Sequence, residues 1–250
     1  MLTAGVLESE AFPYDAEVWR IVECQSLIAT VRVTDTLTEQ QRLEQLLDQT
    51  KPAWPEGCVG KDFLLATPFR YWPYPSGSRF RRARQPEGAY YASENVQTAM
   101  AELAFLHALF FSESAPEVRE QQSPVEMTAF STRIVTSRAI DLTRPPLDAD
   151  SALWQHPTDY SHCQDLADIA RQSGIEMIRY RSVRDPANTN GINVAALEIA
   201  ALPDQAPRQR QTWHLFMRET VAQAWCECPG IRLQFAYADW AKIDHRISGG

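Results

Sequence analysis

The stretch Ala99 to Phe111 (AMAELAFLHALFF) interrupts its apolar residues only at Glu102 and His107, and a helix so hydrophobic around its circumference must be largely buried. Ser93-Glu94-Asn95 supplies N-capping chemistry just before it, so the spacing predicts a helix over Val96 to Phe111. GAYYAS, from Gly88, reads as a strand joined tightly to that helix. Upstream, EVWRIVE (Glu17 to Glu23) alternates and carries β-branched residues, which predicts a second strand. Thr38 to Gln49 places Leu43, Leu46 and Leu47 at helical spacing, with Thr38 as cap and Gln41 three residues on. Prolines at 52, 55, 68, 73 and 75 then punctuate the chain, so the segment around them is expected to be extended or irregular.

A polar linker runs from Ser112 to Ser123, followed by strands around Met127 to Thr136 and a helix from about Asp159 to Gln172 ended by Gly174. Strand signals return at Ile175 to Tyr180, Ile192 to Ile199, Gln211 to Phe216 and Ile231 to Phe235. Strands outnumber helices and the two do not alternate regularly. The fold class is therefore read as α+β, with mixed, mainly antiparallel sheets and flanking helices, rather than a doubly wound parallel sheet. No repeat or low-complexity tract divides the 250 residues, and a hydrophobic fraction of 44% is ample for a core, so one domain over 1–250 is the simpler organisation.

Charge narrows the function. A formal net charge of −8 argues against a nucleic-acid surface, which needs Lys and Arg in excess. An anionic small molecule needs only a few local arginines, and Arg70, Arg79, Arg81, Arg82 and Arg84 lie close together. No segment is apolar enough over ~18–20 residues to span a bilayer, and Met1 to Glu10 does not read as a signal peptide. Five scattered cysteines do not form a disulfide framework, so a reducing cytoplasm is expected. Cys226 and Cys228 have no accompanying pair at zinc-site spacing, so no metal site is expected. Neither GxGxxG nor GxxxxGK[ST] occurs.

Glu102 shares its helical face with Phe105 and Leu109, which turns its carboxylate into protein or a cleft. A buried carboxylate needs a partner, so it forms either a structural ion pair with an arginine of the cluster or part of a catalytic pocket. His107 reads as a hydrogen-bonded core residue, and His156 and His162, six apart, as groups at the surface or just behind a site. In IRYRSVRDPANTNGINVAAL a strand delivers Ser182 to a polar loop, where its hydroxyl could serve a ligand or satisfy an ordinary turn.

Several ordered segments together resemble one family: TPFRYWPYPSGSRFRR (67–82), GAYYASENVQTAMAELAF (88–105), AIDLTRPPL (139–147), TDYSHCQDLADIARQSGIEMIRYRSVRDP (158–186) and QTWHLF (211–216). They are similar to a longer branch of the RES domain family, named for its arginine, glutamate and serine. The resemblance makes Arg79 the arginine, Glu102 the glutamate and Ser182 the serine; Tyr91 matches the strand tyrosine and Arg70 an additional upstream arginine. Phe80 and Arg81 depart from the Trp-Asn that follows the arginine in compact members. Residues 61–220 would carry the motifs, with 1–60 as an N-terminal extension packed on the core.

What the resemblance implies is an ADP-ribosyltransferase-like fold and cleavage of NAD at its nicotinamide–ribose bond, as the toxin of a bacterial toxin–antitoxin pair. Glu102 would stabilise positive charge on the ribose, and Arg70 and Arg79 would bind the diphosphate. Tyr91 would stack on nicotinamide or hold the ribose, and Ser182 would hydrogen-bond the ribose or the amide. NAD would be substrate rather than prosthetic group, with water or inorganic phosphate as acceptor. The implied partner is an Xre-like helix-turn-helix antitoxin, and a homo-oligomer is compatible with the chain. Two other functions stay open: a protein ADP-ribosyltransferase and a noncatalytic nucleotide-binding module.

Overall fold

Eight strands and seven α-helices follow one another through the described residues (3–23, 33–70, 75–115, 123–185 and 191–247) of the computed structural model. In chain order they are α1 (Ala4–Ser9), β1 (Phe12–Glu23), α2 (Leu37–Gln49), α3 (Phe63–Arg70), β2 (Tyr90–Ser93), α4 (Val96–Glu113) and β3 (Val125–Asp141). Then come α5 (Ser151–Trp154), α6 (Ser161–Gln172), β4 (Met177–Arg181), β5 (Ile192–Ala196), β6 (Gln209–Met217), β7 (Val221–Cys226), β8 (Ile231–Ala236) and α7 (Tyr237–Ala241). The sheet order is β1-β2-β5-β4-β3-β6-β7-β8, and β1 also pairs with β3. Only β3 and β4 run parallel, so the α+β reading with mainly antiparallel pairing holds.

The additional pairing closes β1, β2, β5, β4 and β3 into a ring. Long β3 makes this possible, because its 17 residues serve three neighbours. It pairs with β1 from Met127 to Ala139, with β6 from Val125 to Ser131, and with β4 at Ala139 to Asp141. Alternation along the ring strands then sorts side chains to two faces. Met177, Val194 and Ala196 join Val18, Tyr90 and Phe130 in one core, which α3 covers with Leu65 and Phe69. Their neighbours Ile178 and Ala195 point the other way and pack on Leu166 and Ala170 of α6. A third core sets Met100, Ala104 and Phe105 of α4 against Trp213 and Leu215 of β6, with Trp240 of α7 closing it.

Three local expectations are corrected. The capping box of α2 is Thr36 with Glu39, not Thr38 with Gln41: the Thr36 hydroxyl accepts from the Glu39 amide at 3.2 Å and the Glu39 carboxylate accepts from the Thr36 amide at 3.2 Å. An ionised carboxylate is the stronger acceptor, and it fixes the box two residues earlier. Arg70 does not lie on irregular backbone but ends α3, which tolerates Pro68 because Leu64, Leu65 and Phe69 are buried and Asp62 accepts from the Leu64 amide at 2.9 Å. Tertiary burial here outweighs the intrinsic cost of proline. Finally, residues before 60 do more than pack on the core, since β1 is a full member of the ring and pairs with β3 from Phe12 to Glu23. The expected strand around Met127 to Thr136 is longer than anticipated, and β7 and the short α1, α3 and α7 were not anticipated.

α3 approaches the start of β2 closely enough that a Cβ on Gly88 would collide with the Pro68 carbonyl and the Phe69 Cα. Gly88→Ala should therefore destabilise the protein by about 1–3 kcal/mol, the usual cost of forcing atoms into packed space. Urea denaturation measures this directly, and an unchanged midpoint would mean that α3 can retreat from β2.

Candidate active site

Asn95 starts α4 by accepting the Thr98 amide at 2.7 Å on its side-chain oxygen. Two turns on, α4 presents Glu102, half-buried, to the wall of a cavity of about 410 Å³. One carboxylate oxygen accepts from the Ser182 hydroxyl at 2.8 Å and from the Asn193 amide at 2.6 Å; the other faces the Arg184 guanidinium at 3.3 Å. Asn193 is itself oriented, because Ser93, its register partner across β2 and β5, donates to its side-chain oxygen at 2.7 Å. Glu102 is thus ion-paired and also lines a pocket. The arginine is Arg184, however, not one of the cluster between 70 and 84.

The segment after β4 is pinned from three sides. The Ser182 amide donates to the Gly191 carbonyl at 2.8 Å, Asp185 accepts from the Thr98 hydroxyl at 2.7 Å, and the Arg184 carbonyl accepts from the Trp240 indole at 2.8 Å. A partly buried ion cluster reinforces the approach of β4 to α4. Arg179 donates to both oxygens of Glu94, at 2.7 and 3.0 Å, and to Asp141 at 2.9 Å. Burial opposes the Arg179 charge, but the two carboxylates prevail and hold its pKa above the ordinary arginine value. Arg184 behaves alike: burial acts against its charge and the Glu102 carboxylate overrides it. The neighbouring Tyr180 hydroxyl is pushed far up, first by burial and then by the Glu102 charge, so it remains protonated.

Arg79 forms another part of the wall. It is buried, and its Nη1 donates to the Trp154 carbonyl at 2.6 Å and the His156 carbonyl at 3.1 Å. The guanidinium lies 4.6 Å from the centre of the Tyr160 ring, and the Tyr160 hydroxyl accepts from Arg184 at 2.9 Å. Tyr160 therefore joins the two arginines. Tyr91 anchors the segment that carries Arg79, with its hydroxyl accepting from the Phe80 amide at 3.0 Å and paired with the Ser78 hydroxyl at 2.8 Å. Burial raises the Tyr91 pKa even though these two hydrogen bonds act in the opposite sense. Phe80 keeps an aromatic beside Arg79 and packs edge-on against Tyr180 at 4.9 Å, while Arg81 donates to the Gln85 carbonyl at 2.7 Å.

Glu102, Arg79 and Tyr91 thus line one cavity, and Ser182 touches it through Glu102. Arg70 does not join them. Its guanidinium grips Asp48 of α2 at 2.6 and 3.2 Å, donates to the Pro52 carbonyl at 2.8 Å and lies over Trp54 at 4.0 Å. As the last residue of α3 it is carried to α2 and ties the two helices together. His107 sits outside the cavity, 3.4 Å from Glu23, with its pKa lowered by burial. His156 and His162 are exposed, as expected. No group of His, Cys, Asp and Glu suited to a metal occurs among the described residues, and no helix there is long and apolar enough to cross a membrane.

Asn193, Tyr160 and Arg20 escape the sequence reading as cavity residues, whereas Arg184 lies in the polar strand end that the sequence marks as suited to ligands. Asn193 left one signal, as the polar residue in the otherwise apolar strand INVAA, since a buried amide must be hydrogen-bonded. Chemically, the cavity offers a fixed carboxylate among donors, guanidinium groups at separate points, and an apolar wall from Leu103 and Leu106.

The RES domain family model matches residues 54–218. The chain belongs to the RES domain family, and the arginine, glutamate and serine of its motifs fall within the match. No curated protein matches the chain.

The Tyr91 hydroxyl is the hydrogen-bond acceptor of the Phe80 amide. Tyr91→Phe should cost about 1–3 kcal/mol by leaving that donor unpaired in packed surroundings. Equilibrium denaturation checks this, and wild-type stability in the variant would mean that the amide finds another acceptor.

Proposed function

We propose that the protein cleaves NAD at the nicotinamide–ribose bond and passes the ADP-ribosyl group to water or inorganic phosphate. The observation that carries this reading is the Glu102 carboxylate, held by Ser182, Asn193 and Arg184 at the wall of a cavity that Arg79 also lines. In this reaction the C1′–N bond breaks and its electron pair leaves with nicotinamide, which departs neutral. Positive charge develops on the ribose C1′ and ring oxygen, and a fixed carboxylate alongside stabilises it without having to reorganise. Water then bonds to C1′ through its oxygen and releases one proton to solvent, whereas a phosphate anion bonds through an oxygen that is already unprotonated.

Roles follow from the contacts. Arg79 takes the diphosphate, because guanidinium groups meet phosphate oxygens through paired, charge-assisted hydrogen bonds. Ser182 acts through Glu102, its hydroxyl aiming one carboxylate oxygen at the ribose. Tyr91 contributes its ring to the nicotinamide ribose, since its hydroxyl is engaged with Ser78 and Phe80. The protein would act in the cytoplasm, as the toxin of a pair whose antitoxin is an Xre-like helix-turn-helix protein.

Purified protein given NAD, with and without phosphate, should release nicotinamide. Glu102→Gln keeps the shape of the side chain and should slow release by roughly 10²-fold or more in protein that circular dichroism shows to be folded at the assay temperature. No nicotinamide from folded wild-type protein under either condition overturns the reading. Label from NAD appearing on protein in a lysate would reassign the acceptor.

A further inference from the structure

β1 brings an arginine to the cavity that neither the clustered motifs nor the matched span 54–218 contains. Arg20 lines the cavity from β1, with its Nη1 donating to the Tyr91 carbonyl at 2.9 Å and its guanidinium 5.1 Å from the centre of the Tyr90 ring. Among the described residues it has no carboxylate within ion-pair distance, and its Nε and Nη2 make no hydrogen bond. Arg79, buried in the same wall, likewise has carbonyl partners but no carboxylate. The other two arginines considered for this site are neutralised, Arg184 by Glu102 and Arg70 by Asp48.

Arg79 is buried and Arg20 half-buried, and neither has a counter-charge among the described residues, so an anion entering the cavity meets two guanidinium groups with charge to offer. Two such groups on separate elements suit an anion with charge at two centres. Tyr91 sets them relative to one another, for its carbonyl holds Arg20 while its hydroxyl holds the Ser78–Phe80 segment that carries Arg79. We propose that Arg20 is a binding and specificity residue that, with Arg79, grips the diphosphate of the dinucleotide. It takes the place that the resemblance gave to Arg70. The substrate named here rests on the NAD-cleaving reading; the diphosphate site itself rests on the two arginines.

Calorimetric titration with inorganic pyrophosphate, together with steady-state kinetics on NAD, tests this. Wild-type protein should bind pyrophosphate, Arg20→Met should bind it roughly tenfold or more weakly, and Arg20→Lys should fall between because an ammonium lacks the paired donors. Arg20→Met should raise KM for NAD by a similar factor and leave kcat within about twofold, the pattern of a contact made equally in ground and transition states. Arg70→Met should bind pyrophosphate as the wild type does. If Arg20→Met fails to fold, Arg20→Lys decides alone: several-fold weaker binding supports the site and wild-type binding overturns it. No pyrophosphate binding by wild-type protein, or binding that Arg20→Met leaves unchanged, also overturns it. Nicotinamide release with a KM indifferent to Arg20 removes Arg20 and keeps the NAD reading. Arg20-dependent pyrophosphate binding without nicotinamide release keeps the anion site and removes that reading.

Discussion

The contact of Glu102 with Ser182, Asn193 and Arg184 joins parts of the chain that nothing in local sequence would bring together. A carboxylate on so apolar a helix would push α4 outward if it stood alone. With donors from β5 and from the segment after β4, it instead adds a polar tie to the apolar packing that docks α4. Further ties keep the arrangement from drifting: Thr98 holds Asp185, and Arg179 grips Glu94 one residue before the cap of α4. The same contacts that place the helix also aim its carboxylate, so stability and chemistry share one set of hydrogen bonds.

Tyr91 has the corresponding role on the cationic side. Its backbone faces one arginine and its side chain the loop of the other, so the spacing of two positive groups is set by a residue that need not itself touch an anion. Tyr160 extends the link from Arg79 to Arg184 and hence to Glu102. Charge of both signs around the cavity is therefore mounted on one connected framework. Such preorganisation lowers the reorganisation that charge separation would otherwise demand.

Sequence made some of this legible and not the rest. α4 and the unusual setting of Glu102 could be read from the order of residues, because one carboxylate in a run of apolar residues has few explanations. Ser182 stood out only through resemblance, its local pattern being that of any strand end. Arg70 was misplaced because proline density suggested irregular backbone, whereas burial of Leu65 and Phe69 makes α3 a helix and commits its last residue to Asp48. Arg20 could not be found this way. Alternation along EVWRIVE separates the faces of a strand, but which face meets a cavity depends on the ring closing through β3.

Ring closure also bears on the sheet's margins. An open eight-stranded sheet has two unpaired borders, each a template for adding another chain. Here the pairing of β1 with β3 uses up one of them, and the other lies at β8, where Arg232 and Gln234 point outward from the alternating pattern. One face of this six-residue border is thus polar and carries a charge, which makes strand addition at β8 less favourable than along an uncharged edge.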